Sequence, residues 1–326
     1  MGYPASQKHS VEGSPLEITE QNTEKARHLF EELGGTVNDG FPAIDSPVHH
    51  TKVGTPYLKK PGVVVLARPQ TNVRGLAGFL EGFDPDLRFP EYLDDPTELP
   101  DSSQLCKTAG QACYASYGPR RSKNDIAAAY FERLTSAGHG SVLEHASFSF
   151  FLYGISRSVT HELVRHRAGV GVSQISQRYV AGSVLRFVER PEYQEDEELH
   201  RLFEERADRA AAEYEAMAER LLGRQEGGAS MLTADFKTDA RKKVQQTARS
   251  LLPNETEAPM VFTGNVRALR HIIEMRADAH AESEIRNLAL RLFLCVRTVD
   301  PILFGDYELG ELPDGTYTVS TQNRKA

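Results

Sequence analysis

A chain of 326 residues, 40% hydrophobic and 26% charged, has ordinary globular composition, enough for one large domain or two small ones with a sizeable core. Its 38 Lys and Arg against 46 Asp and Glu give a net charge of −8, which argues against a nucleic-acid polymer as partner but not against a small anion held by local arginines. Three scattered cysteines, Cys106, Cys113 and Cys295, suit neither a disulfide framework nor a paired-cysteine zinc site, and point to a reduced, cytoplasmic protein. No run approaches the roughly 18 apolar residues of a membrane span.

Residues 1–61 are rich in Gly, Pro, Ser, Thr and His, with one short helical run around Thr23–Leu33. They read as an N-terminal extension, partly disordered, outside the domain. The domain is expected over 62–310, with a C-terminal tail at 311–326. Gly62–Ala67, β-branched and bounded by Pro61 and Pro69, predicts a strand; Asp84–Ser103 predicts a long loop. A helix starts at Gln104, and a second runs from Asn124, a candidate N-cap, to Ala137, stopped by Gly138. Phe148–Tyr153 reads as a buried strand, and Ser158–His166 as a helix leading into a glycine-rich turn, Ala168–Gly171. Glu195–Arg224 is a charged amphipathic helix with Leu199, Leu202, Phe203, Ala210, Tyr214, Met217 and Leu221 on one face. Another helix covers Thr238–Leu252, and a last one, over thirty residues, runs from Gly264 or Asn265 to Val299. Strands first and helices after suggest an α+β domain with one sheet and a helical layer.

The chemistry concentrates between His139 and Val180, where four arginines and two glutamates give a local charge of +2 inside an acidic chain. Arginine's planar fork suits phosphate and the edges of carbonyl-bearing rings. Arg165-His166-Arg167, then a flexible turn, then Ser176-Gln177-Arg178, form a cradle for an anion and a ring edge. A solvated basic helix end is the bland alternative. His161-Glu162 with His166 invites a zinc-hydrolase reading. That motif needs histidines four apart, however, and five steps set two side chains about 140° apart on a helix. His139, Ser141 and Glu144 sit at a loop-to-helix start, where Ser141 and Glu144 have capping-box spacing. Near the C-terminus, Arg276, His280 and Glu284 fall at successive i, i+4 positions and predict a polar stripe on the long helix, lining a cavity or subunit interface.

The stretch RHRAGVGVSQISQRY resembles the signature of flavin-dependent thymidylate synthases: Arg-His-Arg, a spacer, Ser, then Arg-Tyr two residues on. HGSVLEH, the Arg249-containing TARSLLP, and GNVRALRHIIEMRADAHAESEIR are similar to further motifs of that family, in the same order. The resemblance implies an α+β fold with one antiparallel sheet and a helical layer, assembled as a homotetramer with FAD where subunits meet. It implies reductive methylation of dUMP to dTMP, with methylenetetrahydrofolate supplying the carbon and NADPH the reducing equivalents. It implies FAD contacts from Ser141, Arg165, His166, Arg167, Gln174, Asn265, Val266, Arg267 and His271, with His139 and Glu144 at the same pocket. It implies dUMP contacts from Glu162, Leu163, Val164, Arg165, Gln174, Ile175, Ser176, Gln177, Arg178 and Arg249. Arg276 matches the arginine that activates the uracil. The spacer here is eight residues where many members have seven. Glu162 stands where many have Gln, Gln174 where some have Glu, and His271 where some have Asn. No cysteine lies in the signature blocks, so a covalent thiolate mechanism finds no support, and no metal is expected. Ser176 lacks an evident adjacent base and reads as a binding group. The alternative from a different class is a nucleotide- or flavin-binding regulator without turnover.

Overall fold

The computed structural model describes residues 15–95, 98–180, 185–226 and 237–324. Helix α1 (Pro15–Glu32) precedes strands β1 (Gly35–Asn38), β2 (Phe41–Ile44), β3 (Val48–His50), β4 (Pro56–Leu58) and β5 (Gly62–Ala67). Next come α2 (Ala77–Leu80), α3 (Asp101–Cys113), α4 (Ala127–Ser136), β6 (Ser147–Tyr153), α5 (Arg157–Leu163) and β7 (Val170–Gln174). They are followed by β8 (Phe187–Val188), α6 (Pro191–Gln194), α7 (Glu197–Glu226) and α8 (Lys237–Ala248). The chain closes with β9 (Met260–Asn265), α9 (Val266–Arg276), α10 (Ser283–Val299) and the hairpin β10 (Tyr307–Glu311) and β11 (Tyr317–Thr321).

The central sheet has the order β1-β2-β5-β6-β9-β7 and is antiparallel throughout. Side chains alternate between its faces. Val63, Val65, Phe148, Phe150, Leu152, Met260 and Phe262 point to one face and are buried with Leu288, Leu292, Phe293 and Val296 of α10. Each such phenylalanine removed from water contributes roughly 2 kcal/mol. The opposite face carries the cross-strand row Val64, Phe151, Val261 and Ser173, with Phe151 38% exposed.

One sheet was expected; the described residues form three. A small sheet, β3-β4-β8, pairs β4 and β8 in parallel, and Tyr57 and Phe187 pack there against Phe203, Ala207 and Ala210 of α7. Of the expected apolar face of α7, Phe203, Ala210 and Tyr214 are buried, while Leu199, Leu202 and Met217 are exposed.

Residues 15–61 are not an appendage. β1 and β2 complete one edge of the central sheet, α1 lies on α10, and Ala26, Leu29, Phe30 and Ile44 belong to the main core. A few apolar residues at the right spacing do this, and composition averaged over sixty residues hides them. Residues 1–14 lie outside the described residues. The tail is likewise folded: Val319 of β11 is buried, and Thr321 and Asn323 donate to Asp306.

The expected Asp84–Ser103 loop holds short 3-10 helices at Pro85–Leu87 and Phe89–Asp94 over a cluster of Leu80, Phe89, Tyr92 and Tyr117, and α3 starts within it. Asn124 does not cap α4; its side chain accepts from Lys107 Nζ at 2.5 Å and donates to Gln104 at 3.0 Å. The long C-terminal helix is two helices broken at 277–282. Asp278 Oδ1 accepts the His280 N–H at 2.9 Å, a local bond that competes with helical continuation. The predicted stripe is therefore absent: Arg276 ends α9, His280 lies exposed in the turn, and Glu284 is buried in α10.

Candidate active site

Helix α5 organises the site. Ser156 caps it, its Oγ accepting from Val159 N at 3.3 Å. Glu284 of α10 in turn accepts from Ser156 N at 2.7 Å and Ser156 Oγ at 2.8 Å. The helix ends at Leu163, so His166 stands beyond it in a turn and shares no helical face with His161. Among the described residues, no group of three or more His, Cys, Asp or Glu is placed to hold a metal ion. The predicted glycine-rich turn is shorter than expected, because the chain is already a strand from Val170. Gly169 is needed there: its φ is +71°, and a Cβ would sit 2.7 Å from Asn265 Nδ2. Its carbonyl accepts from Asn265 N at 3.0 Å, and Asn265 Oδ1 caps α9 through Ala268 N at 2.9 Å.

Arg276, at the end of α9, reaches back to α5 and this turn. Its Nη1 donates to Glu162 Oε2 at 2.6 Å and its Nε to His166 Nε2 at 3.1 Å. Because Nε2 accepts, neutral His166 carries its proton on Nδ1. The rings of His166 and His271 meet edge to face, centroids 5.8 Å apart. Burial, then the Arg276 charge, then His271 push the His166 imidazole down to about 4. Its folded value lies below its unfolded value of about 6.5, so its stabilising contribution is complete above about pH 6.5 and is lost as pH falls toward 4. Discounted for partial exposure, about 1 kcal/mol is lost between pH 7.5 and 5. Urea unfolding at the two pH values measures this, and His166→Gln removes that part of the pH dependence.

The other expected residues divide clearly. Arg267 Nη1 pairs with Glu144 Oε1 at 2.5 Å, so Glu144 forms no capping box with Ser141. His139 and Ser141 line a cavity of about 500 Å³ with Cys113, Tyr114 and Arg133. Gln174 Nε2 donates to Thr160 Oγ1 at 3.1 Å. Ile175 and Gln177 line a second cavity of about 370 Å³ with Tyr214, Arg186 and Glu257. Ser176 Oγ accepts from Arg178 N at 3.3 Å. Gln177 Nε2 and Arg178 Nε are buried without a hydrogen-bond partner among the described residues. Arg165 and Arg167 are exposed and make no hydrogen bond or ion pair among the described residues, and Val164 is 41% exposed. Leu163 and Val266 are core residues, and the Val266 N–H is taken by Ala146 O. Their side chains are packed into the main core. Lys242 sits 4.7 Å over the Tyr179 ring, and its hydrogen bond and charge hold the exposed phenol below its usual range.

Thr160, Arg157 and Cys113 were not expected at the site. Cys113 is 26 residues before His139, and only the packing of α3 against Gly140–Glu144 brings them to one cavity. Arg157 is one of the four arginines of the basic block, and only its distance from the Arg-His-Arg run hid it.

Residues of α5, the turn after it, β7, β9 and α9 thus meet at one place in an α+β protein. Comparison with known proteins agrees. The sequence model of the family described as thymidylate synthase complementing protein matches residues 96–302. The flavin-dependent thymidylate synthase of Mycobacterium avium is 42% identical over 231 residues, covering 71% of this chain and 90% of that protein. That of Mycobacterium tuberculosis is 41% identical over 231 residues, with the same coverage. That of Mycolicibacterium gilvum is 40% identical over 227 residues, covering 70% of this chain and 88% of that protein. The chain belongs to the thymidylate synthase complementing protein family.

Proposed function

We propose that the chain is a flavin-dependent thymidylate synthase that converts dUMP to dTMP, with methylenetetrahydrofolate as carbon donor and NADPH-reduced FAD as hydride source. The observation that carries this reading is convergence. Glu144 of the first motif meets Arg267 of the last, Gly169 and His166 of the signature meet Asn265 and Arg276, and the charge of Arg249 acts on Arg157 at the start of α5.

The donor set fits both anionic ligands. The guanidinium groups of Arg165 and Arg167, exposed and without a partner among the described residues, suit a diphosphate, and His139 and Ser141 open onto a cavity for a ring. These residues, with Glu144, Gln174, Asn265, Arg267 and His271, would hold FAD. When bound, FAD supplies the hydride chemistry. The unpartnered Arg178 Nε and Gln177 Nε2 suit dUMP, with Ser176 and Arg249 beside them. Making uracil nucleophilic develops negative charge on its O–C–N edge. Arg276 is held by two acceptors, which fixes the guanidinium and leaves Nη2 for that edge. Glu162 points at Arg276, so its carboxylate does not repel the substrate phosphate.

A homotetramer with active sites between subunits is part of the reading, and the half-exposed apolar row Val64, Phe151 and Val261 offers a face for a second copy. No helix among the described residues is long and apolar enough to cross a membrane, and the three cysteines are unpaired. A cytoplasmic location is part of the same reading.

The test is the visible spectrum and dTMP formation from dUMP, methylenetetrahydrofolate and NADPH, with light scattering for subunit number. A protein that cannot be loaded with FAD overturns the reading, and FAD binding without turnover favours a regulator. Burial pushes the Cys106 thiol up to about 12 and the Cys295 thiol higher still. Only exposed Cys113 could serve as a nucleophile. We expect Cys113→Ala to keep turnover within about twofold, against the several powers of ten that loss of a nucleophile costs.

A further inference from the structure

Helix α4 separates two cavities. On one side Tyr130, Arg133 and Leu134 line the cavity of about 500 Å³ that His139 and Ser141 share. On the other side Phe131, Glu132 and Thr135 line a cavity of about 550 Å³ that the site described above does not use. Asn22 and Thr23 of α1, the turn after α10, and Glu308 of β10 complete its wall.

The lining is apolar at its base and acidic at its edge. Phe131 and Leu303 are buried, with Ile302 half-buried beside them. Glu132 and Glu308 are exposed, and their carboxylates make no hydrogen bond or ion pair among the described residues. No Lys, Arg or His is found among the described residues that line the cavity. Two cations near it are engaged elsewhere: Lys25 of α1 donates to Leu309 O at 3.0 Å, and Arg270 holds Asp306. An open cavity with an apolar base and two uncompensated carboxylates suits an extended chain that carries apolar side chains and positive charge.

The protein has such a segment next to the cavity. Residues 1–14, outside the described residues, lead directly into α1. They carry Lys8 and His9 against a single acid, Glu12, together with the apolar Tyr3 and Val11. Thr23 stands eight residues along α1 from Pro15, about 12 Å of helical rise. His9 stands six residues before Pro15, and six residues span up to about 20 Å of extended chain. The basic pair is therefore within reach of the cavity edge, and Gly13-Ser14 offers residues suited to the turn that this requires.

We propose that residues 1–14 fold back along α1 and seat in this cavity, with Val11 at the apolar base and Lys8 and His9 at Glu132 and Glu308. Seated there, the segment packs behind the wall of the cavity that His139 and Ser141 line. The seat does not depend on the function proposed above.

The test is amide hydrogen exchange of the full-length chain at pH 6, where His9 carries most of its charge, with residues 1–14 as a free peptide for reference. We expect the amides of this segment to exchange about tenfold more slowly in the protein than in the peptide. Glu132→Lys/Glu308→Lys brings their exchange to within about twofold of the peptide, and adding Lys8→Glu/His9→Glu to that variant restores part of the protection. An unchanged thermal midpoint establishes that the variants are folded. If the charge-reversed variant does not fold, Glu132→Gln/Glu308→Gln carries the comparison, with protection of about threefold expected. Free-peptide exchange in the wild type overturns the seat. So does protection that the charge-reversed variant keeps in full, which places the segment elsewhere, and protection that fades on dilution, which places it on a second copy. No restoration by Lys8→Glu/His9→Glu overturns the pairing of Lys8 and His9 with the two glutamates.

Discussion

Arg276→Ala is expected to lower dTMP formation by about a thousandfold, the scale on which removing one preorganised donor from a developing oxyanion acts. The FAD content per subunit stays near that of the wild type. Separation of the two effects follows from the geometry. Arg276 is fastened to Glu162 and His166, whereas Arg165 and Arg167 are exposed and Arg267 pairs with Glu144. Arg276→Lys is expected to recover little, because a single ammonium nitrogen lacks the spread of the planar fork, whose Nε and Nη1 reach His166 and Glu162 separately. The measurement is turnover alongside flavin absorbance. Equal loss of both would mean that Arg276 serves the fold.

Asp306→Ala is expected to destabilise the protein by about 3–5 kcal/mol, the scale on which removing one member of a buried ion pair acts. The Arg270 side chain is 0% exposed and donates to Asp306 at 2.6 and 2.7 Å. Asp306 also accepts from Thr321 and Asn323. One carboxylate therefore ties α9 to the C-terminal hairpin. The denaturation midpoint in urea measures the loss, and Asp306→Asn, which keeps one acceptor, loses less. A change below about 1 kcal/mol, the level of an exposed pair, would show that the pair adds nothing to the fold.

Local pattern made much of this legible. The strand at Gly62–Ala67, the strand at Phe148–Tyr153 and the stop at Gly138 follow from β-branching, aromatic density and a glycine with φ of +72°. The site was legible as a set of residue types, because arginines gathered in an acidic chain have few structural explanations. What failed depended on partners distant in sequence. Gly169 and Asn265 explain each other, but they lie 96 positions apart. Ser141 and Glu144 have the spacing of a cap, yet Arg267 outbids the backbone for the carboxylate. The break after Arg276 turns on one aspartate's bond to its own backbone, invisible to a periodicity that continues past it. The opening strands were missed because each is only three or four residues long.

Helix α5 has only seven residues, about 10 Å of rise. Glu284 grips its first end through Ser156, and Arg276 grips the far end through Glu162 and the residues just past it. It acts as a ruler. The interval between the end of α9 and the start of α10 is bridged by an irregular turn, and α5 sets its span. One inserted residue would advance the far end by about 1.5 Å and rotate it by about 100°, turning Glu162 away from Arg276. The exposed His161 of α5 is free to vary, but the length of the helix is not.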